Sequence, residues 1–174
     1  MRPELRDLSE DQYWVYGVKE SDIPYTLELV QDFIETSQED LSRKIGEIQA
    51  RDEDEQIIAE IESDVAHYTW VNEQYLWQFC LWRLQGIFEA LIVYTYLPNE
   101  KGRRLPGLKA KLNAAKAAGF PLSEADEKEL LRWNNLRNAV SHAPPEQYRP
   151  IPFEEDDLKE YTALLHRVLG RWTK

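Results

Sequence analysis

The stretch Leu136-Arg137-Asn138-Ala139-Val140-Ser141-His142, followed by Ala143-Pro144-Pro145, decides how this chain is read. Leu130, Trp133, Leu136 and Val140 recur at helical spacing, which makes the segment the end of an amphipathic helix with one buried stripe. Two prolines stop it, because each lacks an amide hydrogen and its ring collides with the preceding turn. At the other end Ser123 and Asp126 have the spacing of a capping box, with further acids in the first turn.

Working outward, the other apolar patterns are helical too. Leu158, Tyr161, Leu164, Leu165, Val168 and Leu169 form the stripe of a last helix, led in by the acids from Glu154 to Asp157. Upstream, Leu105, Leu108, Leu112 and Ala115 predict a short helix ending at Gly119, with a basic Gly/Pro loop over 99–107 before it. Pro24 suits the first turn of a long helix capped by Ser21 or Asp22, and Leu27, Val30, Ile34, Leu41, Ile45 and Ile48 carry it to about Ala50. A second helical region runs from Ile57 to Leu97, where Pro98-Asn99 stops it. Unbroken from 55 to 97 it would span roughly 65 Å, so a break is expected between Ser63 and Asn72. Tyr75, Phe79, Trp82, Gly86 and Glu89 share one face of it, and Trp77, Leu81, Leu84, Phe88 and Leu91 another. A helix apolar nearly all round belongs at the centre of a bundle, with its aromatics in the core or a dimer interface, and Gly86 suggests close helix approach. Residues 1–22 read as an irregular arm attached through Tyr13, Trp14, Val15 and Tyr16. The expected fold is a single all-α domain over 1–174, an up-and-down bundle of four to five main helices.

Composition narrows the function classes. The chain has 174 residues, 43% hydrophobic and 30% charged, enough for a real core. One cysteine, Cys80, excludes an intramolecular disulfide and a cysteine zinc cluster, and its apolar neighbours point to a buried thiol. The charged opening from Met1 to Asp11 does not read as a signal peptide, and Gln78, Arg83, Gln85 and Glu89 interrupt the most apolar stretch, so no membrane span and a cytoplasmic location are expected. No P-loop, dinucleotide fingerprint, HExxH or repeat is present, and no cofactor or metal is expected. The net charge of −11 is unevenly placed: residues 1–100 hold 7 Lys+Arg against 22 Asp+Glu, and residues 101–174 hold 14 against 10. Lys101, Arg103, Arg104, Lys109, Lys111 and Lys116 follow one another without an acid between them, a strip that suits phosphate or a solvated helix face.

Arg137 and His142 are the residues with chemistry to offer. An imidazole titrates near pH 6.5 and can move a proton. A guanidinium stays charged and grips phosphate through a fork of N–H groups. At about 100° per residue the two side chains diverge by about 140°, so one straight helix does not converge them on one phosphate, whereas two copies about a two-fold axis could. The plain alternative is that both merely favour the helix dipole and that Asn138 is a local cap. Glu89, between Phe88 and Ala90, needs a cation, and Arg83, Arg132 or Arg137 could supply it as a structural pair or as an auxiliary that orients Arg137. His67 and His166 read as structural.

The run Arg137-Asn138-x-x-x-His142 resembles the signature of the HEPN family, small all-helical proteins many of which are metal-independent ribonucleases and others non-catalytic partners. The resemblance implies a homodimer whose motif helices form a cleft with paired Arg137 and His142, with Asn138 positioning His142 or the phosphate. It implies attack by a ribose 2′-OH on its neighbouring phosphate, and the basic strip, read from charge alone, then offers Lys101, Arg103, Arg104, Lys109 and Lys116 as RNA-binding candidates. It implies a toxin or defence nuclease with RNA as substrate and an antitoxin protein or a nucleotidyltransferase as partner. The alternative from a different class is a non-catalytic adaptor, which the acidic first hundred residues favour.

Overall fold

The computed structural model describes residues 19–51, 54–97, 105–142 and 152–173. Among them are five α-helices and no strand: α1 (Asp22–Gln49), α2 (Glu55–Leu91), α3 (Gly107–Ala117), α4 (Glu124–His142) and α5 (Glu155–Trp172). A π-helical turn, Ile92–Tyr96, extends α2. The all-α up-and-down bundle expected from the periodicity is the observed fold.

Local chemistry fixes the helix ends. The Asp54 carboxylate accepts the Gln56 amide at 2.8 Å and starts α2. Ser123 Oγ accepts the Asp126 amide at 3.1 Å and starts α4, as its spacing predicts. Glu154 and Asp157 form a reciprocal capping box at α5. Gly119, at φ +94°, ends α3 in a left-handed conformation that L side chains rarely adopt.

The core sits where α2 meets all the others. Leu81, Leu84, Ile87 and Phe88 of α2 pack with Leu158, Leu165 and Val168 of α5, Val30 of α1, Leu112 of α3 and Leu130 of α4. Trp172 closes one end, ringed by Phe88, Tyr96 and Phe120, with its indole N–H donating to the Pro121 carbonyl at 2.8 Å. Gln74 clasps both backbone groups of Phe153, at 2.7 and 3.3 Å, and so pins the chain entering α5 onto α2.

One expectation is corrected. No break occurs between Ser63 and Asn72, and α2 runs unbroken for 37 residues. Its first half contains no glycine or proline and runs beside α1, where Gln38 reaches Glu73 at 3.3 Å, so a neighbouring helix supports the length that a small bundle would not. None of α2 before Gln74 is buried, which makes that half a projection of the α1–α2 pair beyond the core. The aromatics expected in the core or a dimer interface divide by face. Trp77, Leu81, Leu84, Phe88 and Leu91 are core, whereas Tyr75, Phe79 and Trp82 stand half in solvent, at 56%, 52% and 52% exposure. Among the described residues, a Cβ on Gly86 would meet nothing within 4 Å, so none of the described helices touches it there.

Candidate active site

Glu89 lies at the junction of three helices. Its Oε1 accepts a hydrogen bond from Gln85 Nε2 at 2.9 Å and stands 3.5 Å from Arg137 Nη2 of α4, while its Oε2 receives the Lys111 ammonium of α3. Behind it, the buried Tyr161 hydroxyl of α5 donates to Gln85 Oε1. Burial holds that hydroxyl well above the ordinary tyrosine range; the Glu89 charge pushes the same way and Arg137 opposes it. Tyr161 therefore stays a donor, and the Gln85 amide is fixed with its N–H toward Glu89. Trp133 of α4 stacks on the Tyr161 ring at 4.8 Å and locks this support to the motif helix.

Arg137 is only 22% exposed at its side chain. Its Nη1 donates to Asn138 Oδ1 at 3.0 Å, and its Nε is buried with no hydrogen-bond partner among the described residues. Arg137 lines an open cleft of about 300 Å³ with Gly86, Glu89, Val93, Tyr94 and Lys111. Among the described residues that line the cleft, one carboxylate and two cations leave a surplus of one positive charge. An anion fits that surplus.

The other sequence candidates are dispersed. His142 ends α4, is exposed, and does not line the Arg137 cleft. The divergence expected of the motif thus holds within one chain. Asn138 engages Arg137 rather than His142. Lys101, Arg103 and Arg104 lie outside the described residues. Lys116 is held bidentately by Glu127 at 2.7 and 2.9 Å. Lys109 is exposed beside a broad concavity whose Lys109, Lys128 and Arg132 are matched by Glu124, Glu127 and Glu129. Lys111, read only as part of a basic strip, proves to be the closest cation to Glu89. Its signal lay in its neighbours, since Leu108 and Leu112 on either side are core positions and carry Lys111 to the rim of the buried seam.

The remaining reactive groups are elsewhere. Burial pushes the Cys80 thiol up to about 12, which leaves it inert as a nucleophile. His67 packs at 5.7 Å against Tyr68 on the exposed half of α2, and His166 lies 3.7 Å from Glu20. Among the described residues no helix is long and apolar enough to cross a membrane, and no group of three His, Cys, Asp or Glu could hold a metal ion. Comparisons with protein-family models, with curated proteins and with solved structures returned no match.

Proposed function

We propose that the chain is a metal-independent endoribonuclease of HEPN type, acting as a two-fold homodimer. The observation that carries this reading is the Arg137 cleft, where two cations share Glu89 and the described residues leave one positive charge over. A phosphodiester supplies the matching negative charge, and the surplus positive charge steadies it as more charge builds on the phosphoryl oxygens. Glu89 and Asn138 hold the guanidinium in place, so it need not reorganise during the reaction.

Proton transfer falls to His142. The ribose 2′ oxygen attacks the adjacent phosphorus and gives its proton to an imidazole; the bond to the 5′ oxygen breaks, and that oxygen leaves with a proton from solvent. The products are a 2′,3′-cyclic phosphate and a 5′-hydroxyl end. Because five residues of helix turn His142 about 140° from Arg137 of the same chain, the imidazole comes from the second copy. The exposed face of α2 supports that assembly: Tyr75, Phe79 and Trp82 lead directly to Gly86, a wall of the Arg137 cleft. Two α2 helices crossing at Gly86, where no Cβ keeps them apart, would bury these aromatics and set both clefts beside the axis.

The test is cleavage of single-stranded RNA in EDTA, read by the cyclic phosphate on the 5′ fragment. Arg137→Ala and His142→Ala are each expected to lower the rate by at least about a hundredfold, the low end for losing an acid–base group, with the helical signal intact. An adaptor reading draws on the exposure of His142 at the end of α4. Cleavage indifferent to His142, or none across varied substrates, would decide for it.

A further inference from the structure

A second apolar surface lies on α1, away from the Arg137 cleft. Tyr25, Leu29 and Phe33 recur every fourth residue and stand 62%, 38% and 57% exposed. They form a ledge beside the buried Thr26, Val30 and Ile34, where the core ends. On the ledge's other side, Glu28, Asp32, Glu35 and Glu39 follow at helical spacing, all exposed, and form a row of carboxylates along the flank. From Asp22 to Ser42 the helix carries no Lys or Arg. Arg43, the first cation of α1, is already held by Asp40 at 3.0 Å and Glu47 at 2.7 Å.

Three large side chains in line on a helix, beside an unbroken acidic row, specify their complement. We propose that this ledge docks an amphipathic helix rich in lysine or arginine, belonging to another protein. Its apolar face would cover Tyr25, Leu29 and Phe33, and its cations would meet Glu28, Asp32, Glu35 and Glu39. The same charges argue against the other occupants. RNA would be repelled. A second copy docking ledge to ledge would bring two carboxylate rows together, which destabilises. The segment Met1–Val18 holds two arginines against four acids and supplies no cationic face. The inference stands apart from the ribonuclease reading, and peptide binding and RNA cleavage report on each separately.

The experiment uses the full chain and a fluorescent synthetic helix of leucine and lysine, with leucines on one face, followed by anisotropy. A scrambled peptide of equal composition is the control. The amphipathic peptide should bind, the scrambled one should not, and affinity should fall as salt screens the carboxylates. Leu29→Ser with Phe33→Ser should weaken binding by about tenfold or more, equivalent to about 1.4 kcal/mol. Asp32→Lys, a fully surface change, should do the same and reads the site even if the double variant loses helix content. Equal binding of the scrambled peptide, or unchanged affinity in Asp32→Lys, overturns the proposal. A change of sedimentation mass in the ledge variants would assign the surface to a second copy instead. Tighter peptide binding after Trp14→Ala would assign it to the N-terminal segment; either result sinks the inference.

Discussion

At the scale of single residues, Glu89 shows how one carboxylate can tie three helices together and, on the proposed function, aim a guanidinium. Its side chain is 14% exposed and faces both Lys111 and Arg137. Replacing it with glutamine keeps the shape but leaves two cations facing each other, with the cleft's surplus raised from one charge to two. Glu89→Gln is therefore expected to cost about 1–3 kcal/mol of stability, read by urea unfolding. The same variant should bind RNA more tightly at low salt while cleaving it more slowly, because Arg137 loses the partner that aims it. Equal losses in binding and cleavage would show that Glu89 matters only through folding. Sequence reasoning named Arg137 among three possible partners for this acid and could go no further, since helix spacing cannot say which of several arginines is across a helix interface. It missed Lys111 because a cation in a basic run looks solvated until the burial of Leu108 and Leu112 turns its position toward the seam.

At the scale of elements, the helices were legible from periodicity and their ends from caps, as Ser123 and Gly119 illustrate. The length of α2 was not, because the expectation of a break assumed a compact bundle, and only the long α1 beside it removes that constraint. Nor could spacing alone tell the buried stripe of Trp77 and Leu81 from the exposed stripe of Tyr75 and Phe79, since both are apolar. The start of α4 and the end of α5 are joined through Asp126, which is nearly buried. It meets Arg167 at 2.9 Å, Arg171 at 2.5 Å and the Ser123 hydroxyl at 2.6 Å. Burial acts to raise its affinity for a proton, but these three partners together outweigh it and hold the carboxyl below the usual aspartate range. A depressed carboxylate contributes stability that is present above its unfolded value and lost as pH falls through the folded one. Asp126→Asn should therefore lower the melting temperature near neutrality, and the gap to the native protein should narrow as the pH drops below the ordinary carboxylate range. A gap of constant size down to that pH would mean that the hydrogen bonds, not the charge, carry the contribution.

At the scale of the whole molecule, the candidate chemistry is split by geometry. Arg137 faces a cleft bounded by α2 and α3, and His142 ends α4 in solvent. Five residues of helix separate the two side chains by about 140°, a divergence that no rotamer change fully recovers. If the reaction needs both groups at one phosphate, the Arg137 of one copy must work with the His142 of the other. This makes a mixing experiment informative. Arg137→Ala chains and His142→Ala chains are each expected to be inactive alone. In an equal mixture after subunit exchange, half of the dimers are mixed, and each mixed dimer keeps one intact arginine–histidine pair across the axis. Recovery to about a quarter of the native rate per chain is the expected outcome on that two-pair counting. Trp82→Glu placed in both variants should abolish the recovery, because a charge on the exposed α2 stripe opposes the crossing that joins the copies, while 52% exposure of that side chain keeps the change from disturbing the core. A mixture that stays as inactive as its parts, under conditions where sedimentation shows the chains exchanging, would mean that the two residues do not act across a dimer axis.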